Sequence, residues 1–189
     1  IMRKAGKEGT QVHEAAERLI QGEEISWMDE YGNARYSQIV WEMILKFYEF
    51  WTTYNPKPIA LESFVYSDEH KYAGTADIVC EIEGETWLLD IKTSNSIHKS
   101  YDLQLASYAV ALEECKGIKI DRTGIVWLKA HSRGPARNGK TMQGKGWKVL
   151  PIDDIDKNFK LFKNIYELYN LENPTVEPIY NKYPTVLKL

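Results

Sequence analysis

Apolar residues recur every three or four positions in four stretches of the chain, which is the period of a helix with one buried face. We therefore predict helices over residues 8–20, 39–51, 101–115 and 155–169. The second helix should end at Asn55-Pro56, because proline cannot continue a helix. Ser100 is a candidate N-cap for the third helix.

Short segments rich in β-branched and aromatic residues alternate with these helices and are typical of strands. We predict strands over residues 59–66, 76–82, 86–92, 124–128 and 147–152, of which the first three form an antiparallel meander. The expected fold is α/β, or α+β in detail, with a central mixed sheet flanked by helices in one domain over residues 1–189. The proline-containing tail after the last helix is expected to be extended.

Composition narrows the class of protein. The chain has 189 residues, 43% of them hydrophobic, which is enough for the core of one globular domain. Its formal net charge of -3 argues against non-specific binding of nucleic acid over the whole surface. No apolar run approaches the roughly 20 residues that cross a bilayer, so we expect no membrane partner. The chain begins at Ile1 with no secretory leader in view, which leaves room for an upstream segment. Cys80 and Cys115 form no CxxC pair and are expected as thiols of a reducing compartment, the cytoplasm of a bacterium or phage-infected cell.

One segment departs from this slightly acidic balance. Between residues 129 and 148 the chain carries six basic residues and no acidic one, among several glycines. Lysine and arginine that neutralise phosphates supply most non-specific affinity for nucleic acid, so the segment is a candidate DNA contact. The alternative is a solvated loop without a specific role. The basic residues are Lys129, Arg133, Arg137, Lys140, Lys145 and Lys148.

Two aspartates are expected to face each other across a hairpin. Glu83-Gly84 is a turn between the second and third strands, and a loop centred there pairs Ile82 with Glu85. The same register places Asp77 opposite Asp90, with β-carbons roughly 4.5–5.5 Å apart. Two carboxylates that close repel each other, so a cation should neutralise them. Oxygen ligands favour Mg²⁺ or Mn²⁺, as one or two ions.

Strand alternation puts Lys92 on the same face as Asp90. An ammonium there can hold or help to deprotonate a metal-bound water and offset charge that accumulates on a phosphate. The main-chain carbonyl of Ile91 is available as a further oxygen ligand. The alternative is a surface hairpin with a solvent-exposed, charged face, which would show the same Asp-x-Lys pattern. The opposed Asp77 favours a metal site over this alternative.

With these residues in place, the sequence resembles the PD-(D/E)XK nuclease superfamily, in its RecB-like or phage-type exonuclease branch. The resemblance spans about residues 9–108 and rests on motifs in the family's order and spacing. It implies a restriction-endonuclease-like core around the predicted sheet. The matching text is GTQVH at 9–13, Glu62, GTAD at 74–77, DIK at 90–92 and QLASY at 104–108.

The resemblance also implies roles for individual residues. Asp77 and Asp90 match the metal-binding acids, Lys92 matches the catalytic lysine, and His13 matches a histidine that completes the metal shell. Glu62 matches a less constant acidic position that acts through water or a second ion. The QxxxY motif corresponds to Gln104 and Tyr108, whose spacing puts them on one helix face where they can touch the lysine, the substrate or the metal-bound water. For His13, Glu62 and Tyr108 the alternative is an ordinary structural residue with a satisfied polar group.

Some members of this branch hold an iron–sulfur cluster with four cysteines, mostly downstream of the nuclease core. No cysteine follows Cys115, so we expect no cluster of that type in this sequence. No helicase P-loop is present either, so a translocating helicase or recombination partner would be a separate protein.

The leading hypothesis is a metal-dependent deoxyribonuclease that degrades DNA from an end, with single-stranded DNA or DNA with a free end as its partner. A second enzyme hypothesis keeps the chemistry but cuts internally, at a branch or flap. A third, of another class, is a nucleic-acid-binding module that kept the fold without turnover. The intact Asp77, Asp90 and Lys92 speak against the third.

Overall fold

Helices and strands account for most of the chain in a computed structural model that describes residues 2–129, 146–174 and 188. The first helix begins six residues earlier than predicted, and the other boundaries lie within a few residues of the prediction. The helices are α1 Met2–Ile20, α2 Gln38–Tyr54, α3 Ser100–Lys116 and α4 Ile155–Glu172. The strands are β1 Lys57–Ser67, β2 Tyr72–Ile82, β3 Glu85–Lys92, β4 Arg122–Trp127 and β5 Lys148–Ile152.

The strands form one five-stranded sheet in the order β1-β2-β3-β4-β5. The pairs β1–β2 and β2–β3 are antiparallel, whereas β4 runs parallel to β3 and antiparallel to β5. A parallel neighbour needs a crossover, and α3 supplies it between β3 and β4. The predicted α/β fold with a mixed central sheet is therefore confirmed.

Each face of the sheet is buried against helices, which explains why β3 is apolar on both sides. Leu89 packs in a cluster with Val12 of α1 and Phe47 of α2. Its neighbour Leu88 points to the other face and packs with Leu105 of α3. Alternate residues of a strand point to opposite faces, and full burial of each such side chain contributes roughly 1.5–3 kcal/mol. The sheet thus lies between two layers of helices.

The start of α3 differs from the prediction. Ser100 was expected to cap the helix, but it is the first helical residue, and Lys99 occupies the cap position without a side-chain cap hydrogen bond. Instead, the Tyr101 amide donates to the His98 carbonyl at 3.1 Å, which closes a tight turn. The helix therefore begins with backbone groups bonded to each other rather than to a serine hydroxyl.

The packing face of α4 also differs from the prediction. The expected stripe continued through Ile165 and Tyr169, but these side chains are 56% and 51% exposed. Phe162 packs on the Tyr72 ring, and Tyr166 continues this face because its hydroxyl donates to the Lys71 carbonyl at 3.0 Å. The helix turns its end toward the β1–β2 connection, so residue 166 rather than 165 faces the protein.

No helix in the described ranges is long and apolar enough to cross a membrane. The predicted extended tail lies largely outside the described residues, which stop at Pro174 and resume only at Lys188.

Candidate metal centre

Three acidic residues lie side by side on β1, β2 and β3. Leu61 pairs with Ile78 and Ser63 with Ala76, so Glu62 stands across from Asp77. The β2–β3 ladder runs from Ile82–Glu85 to Ile78–Leu89, as predicted, and the next position brings Asp77 across from Asp90. The carboxylates therefore form a row across three adjacent strands.

Backbone geometry at the row departs from a regular sheet. Glu62 has a φ of 40°, a left-handed conformation that a non-glycine residue rarely adopts within a strand. Asp77 Oδ2 accepts a hydrogen bond from the Ile91 amide at 2.8 Å, where a regular ladder would offer a main-chain carbonyl. The Asp77 side chain thus replaces a main-chain contact between two strands. Backbone strain such as the positive φ of Glu62 is typical of functional sites.

Burial and mutual repulsion make the negative charges costly. Burial, together with the nearby Asp90 carboxylate, raises the pKa of Asp77 to about 7. Burial also raises the pKa of Asp90, although Lys92 opposes that effect. The pKa of Glu62 is raised by burial and by Asp77. The row favours protons or another cation over free carboxylates.

His13 of α1 joins the row from the helical layer. Its Nε2 lies 3.1 Å from the Ile91 carbonyl, whereas Nδ1 lies 3.4 Å from Asp77 Oδ2 and 3.9 Å from Glu62 Oε1. Burial lowers the pKa of His13, which favours the neutral ring. With Nε2–H donating to the carbonyl, the lone pair of Nδ1 points toward two carboxylates.

This arrangement fits a divalent cation. Ligand atoms of His13, Glu62 and Asp77 lie within 4.8 Å of one another. A lone pair and two carboxylates that converge would repel each other without a cation between them, and a nitrogen and oxygen donor set suits divalent metals. The Ile91 carbonyl accepts a hydrogen bond from the His13 ring, and its predicted role as a metal ligand stays a prediction.

Asp90 lies beside this trio and contacts Lys92. The Lys92 Nζ donates to Asp90 Oδ1 at 2.9 Å and lies 2.7 Å from Oδ2. Oδ2 is shielded from solvent and has no hydrogen-bond partner among the described residues. The Lys92 ammonium offsets the charge of this oxygen, although no hydrogen bond of regular geometry reaches it. Three carboxylates against one ammonium leave two negative charges to be balanced, which is the charge of one divalent ion.

Helix α3 places the predicted pair Gln104 and Tyr108 on one face, and it also places an unpredicted residue next to Lys92. Gln104 and Tyr108 lie on one face, as their spacing predicts, and Gln104 Nε2 donates to the Tyr108 hydroxyl at 3.1 Å. Lys92 contacts a different residue of α3, Tyr101, whose ring centroid lies 4.4 Å from Nζ. Sequence reasoning missed Tyr101, although its position three residues before Gln104 puts it on the same helix face.

Two glycines of the motifs are explained by close packing. A β-carbon at Gly74 would stand 2.6 Å from the Tyr108 hydroxyl oxygen, and one at Gly9 would stand 3.2 Å from Thr93 Oγ1. Gly74 therefore lets the Tyr108 ring lie against β2, the strand that carries Asp77. Gly9 lets α1 approach the residue that follows Lys92. The contacts are non-local, so the sequence shows the glycines without showing what they accommodate.

One cavity lies at the metal centre, and another lies at a distant part of the sheet. A cavity of about 540 Å³ lies against His13 and Glu62 and is also lined by Gly9, Glu14 and Glu17. A larger one of about 620 Å³ lies where β4 begins and β5 ends, at the opposite ends of the strands, and contains none of the predicted site residues.

The basic segment lies mostly outside the described residues, including Arg133, Arg137, Lys140 and Lys145. Its two attachment points are described. The Leu128 amide, next to Lys129, donates to the Lys92 carbonyl at 2.9 Å, and Lys148 pairs with Trp127, the β4 neighbour of Lys92. Both ends of the basic segment therefore join the sheet next to Lys92, at the end of β3 that carries the metal centre.

Comparisons with known proteins agree with this geometry. The family model of the PD-(D/E)XK nuclease superfamily matches residues 2–182. Thirteen chains of solved structures match the fold. One is a candidate exonuclease from Eubacterium rectale, with 15% identity and a TM-score of 0.54, over 96% of this chain and 77% of the other. No curated protein sequence matches significantly.

Proposed function

The chain belongs to the PD-(D/E)XK nuclease superfamily, and from that premise we propose that it is a metal-dependent deoxyribonuclease that hydrolyses DNA from an end. Family membership supports a hydrolase that acts on nucleic acid. The observation that carries the proposed metal dependence is the convergence of His13 Nδ1, Glu62 and Asp77 beside the Asp90–Lys92 pair.

The proposed cofactor is Mg²⁺ or Mn²⁺, as one or two ions. His13, Glu62 and Asp77 would hold it, and Asp90, which is ion-paired with Lys92, would add a further oxygen. When bound, the ion supplies Lewis acidity toward a phosphoryl oxygen and toward water. The protein's own contribution is the set of negative charges, which the fold holds together at a cost that a cation relieves.

The remaining residues supply orientation and positive charge. Lys92 presents an ammonium beside the row, where it attracts a phosphate oxygen and stabilises the negative charge that grows during in-line attack. His13 keeps its lone pair directed at the row because Nε2 is bonded to the Ile91 carbonyl. Gln104 and Tyr108, which are hydrogen-bonded to each other, lie on the α3 side of the sheet and provide polar groups for substrate or water.

The proposed substrate is single-stranded DNA or duplex DNA with a free end. The basic segment 129–148 supports a nucleic-acid substrate, because its two ends meet the sheet beside Lys92 and its charges suit a phosphate backbone. The proposed protein partner is a helicase or recombination protein that exposes DNA ends. A role in recombination or repair DNA processing would follow from such an activity.

The test uses matched linear and covalently closed circular DNA of one sequence, incubated with Mg²⁺ or Mn²⁺. We expect loss of the linear DNA and survival of the circle, with both intact in EDTA. Asp77→Asn protein, checked for folding by circular dichroism, is the control for contaminating nuclease. Cutting of the circle would instead indicate an internal or flap endonuclease, and binding of DNA without cleavage under all metals would indicate a non-catalytic module.

A further inference from the structure

The ammonium of Lys92 is held by two neighbours of different character. One is the Asp90 carboxylate, and the other is the face of the Tyr101 ring, whose centroid lies 4.4 Å from Nζ. The Lys92 side chain is only 18% exposed, so these contacts rather than bulk water surround the charge. Tyr101 is 9 residues along the chain from Lys92 and reaches it from the first turn of α3.

A ring face is a distinctive partner for this particular ammonium. The negative face of an aromatic ring attracts a cation at about 4–6 Å without carrying a formal charge. A second carboxylate would neutralise Lys92 and weaken its attraction for a phosphate. The ring restricts the ammonium while leaving its net positive charge in place, and Asp90 need not be its only anchor.

The ring is itself held in place. His98 packs edge-on against Tyr101, with centroids 5.7 Å apart and planes at 82°. The Tyr101 amide donates to the His98 carbonyl at 3.1 Å, so the turn that begins α3 sets the position of the ring. Tyr101 also packs against the α3-side core, which limits its rotamers. These contacts hold the ring face toward Lys92.

We infer that Tyr101 is a positioning residue for the nuclease reaction, which holds the Lys92 ammonium beside the carboxylate row through the face of its ring. The inference rests on the proposed function. Since the described contacts of the ring are with Lys92, His98 and the α3-side core, loss of the ring face should lower turnover while leaving the affinity for DNA unchanged.

Two substitutions separate the ring face from the bulk of the side chain. Tyr101→Phe keeps the ring, so kcat should stay within about twofold of the wild type. Tyr101→Leu keeps an apolar side chain but removes the π face, and kcat should fall by roughly 2- to 30-fold, the range that cation–π attraction supports. In both variants KM for DNA should stay near the wild-type value. Tyr48→Leu, at an exposed tyrosine of α2, is the matched control and should leave kcat unchanged.

A second measurement follows the contact without turnover. In metal-free protein the ring current of Tyr101 should displace the NMR signals of the Lys92 ε-methylene upfield. The displacement should persist in Tyr101→Phe and vanish in Tyr101→Leu. Thermal melting of the same samples shows how far each variant is destabilised. A loss of kcat in Tyr101→Leu that is reversed at a temperature where the variant is fully folded would assign Tyr101 to core packing and overturn the inference.

The outcomes also separate this inference from the proposed function. If wild-type protein cleaves DNA but Tyr101→Leu matches it in kcat, or if Tyr101→Phe is as slow as Tyr101→Leu, the positioning role is wrong and the nuclease remains. If wild-type protein cleaves no DNA with any divalent ion, the proposed function fails first. An unshifted Lys92 signal in the wild type would then also exclude the ring contact itself.

Discussion

The ring of Tyr108 lies so close to the α-carbon of Gly74 that a β-carbon there would stand 2.6 Å from the hydroxyl oxygen. The contact joins α3 to the strand that carries Asp77, across 34 residues of chain. Gly74→Ala should therefore displace Tyr108 and destabilise the protein by about 1–3 kcal/mol through overpacking.

A double-mutant cycle measures this contact. In a Tyr108→Ala background the added methyl group at position 74 has room, so the cost of Gly74→Ala should largely disappear. Urea unfolding of the four proteins gives the coupling, expected at about 1–3 kcal/mol in magnitude. Additive effects within roughly 0.5 kcal/mol would show that the two residues are not in steric contact.

Asp77→Asn should abolish cleavage and yet stabilise the metal-free protein at neutral pH. The pKa of Asp77 is raised to about 7, above its ordinary value, so its proton favours the folded state. That stabilisation is complete at low pH, below the unfolded pKa, and is lost as pH rises through about 7. Asparagine stays neutral and can still accept from the Ile91 amide.

Melting curves in EDTA between pH 4 and 8 test this sign. The advantage of Asp77→Asn over the wild type should grow as pH rises toward 8, at about 2–4 °C of Tm per kcal/mol for a chain of this size. Glu30→Gln, at an exposed turn residue, should show no such trend. Parallel curves for wild type and Asp77→Asn would mean that Asp77 carries no burial penalty.

Divalent metal binding should be linked to proton release. A metal ion at the row needs an ionised Asp77, and the pKa of that carboxyl is about 7 without metal. Affinity for Mn²⁺ should therefore fall by about tenfold per pH unit below pH 7 and level off above it. Isothermal titration calorimetry in two buffers of different ionisation enthalpy counts the protons. A pH-independent affinity with no proton release would place the ion away from Asp77.

Lys92→Ala should lower the chemical rate much more than DNA affinity. Removal of one group that stabilises transition-state charge in other enzymes costs about 10²- to 10³-fold in kcat. Single-turnover kinetics separates the rate from the binding constant. Lys57→Ala, at a lysine with a 78% exposed side chain, is the control. Equal losses in rate and affinity would reduce Lys92 to a phosphate contact.

Neutralising Arg133, Arg137 and Lys140 together should weaken DNA binding uniformly across sequences without changing metal affinity. Three phosphate contacts account for about two to three units of the log–log salt slope, at about 0.7–0.9 each. Binding titrated in Ca²⁺ at several salt concentrations measures the slope. The control neutralises three exposed lysines elsewhere, Lys57, Lys119 and Lys160. An unchanged slope in the first variant would place DNA on another face.

Much of the site follows from the sequence because its geometry is local. The turn at Glu83-Gly84 sets the register of β2 against β3, and that register alone brings Asp77 across from Asp90. Strand alternation likewise puts Lys92 beside Asp90, and helical spacing puts Gln104 beside Tyr108. These relations span a few residues or one hairpin, so the periods of strand and helix determine them.

Only the tertiary structure decided which distant groups meet at the row. His13 reaches the Ile91 carbonyl across 78 residues, and this contact, rather than any pattern in α1, selects the ring nitrogen that faces Asp77. Tyr101 meets Lys92 because the crossover from β3 to β4 lays α3 over the sheet. Tyr166 of α4 replaces Ile165 on the packing face for a similar reason. Periodicity specifies the face of an element but not the angle at which it docks, and the angle comes from side-chain packing between elements far apart in the chain.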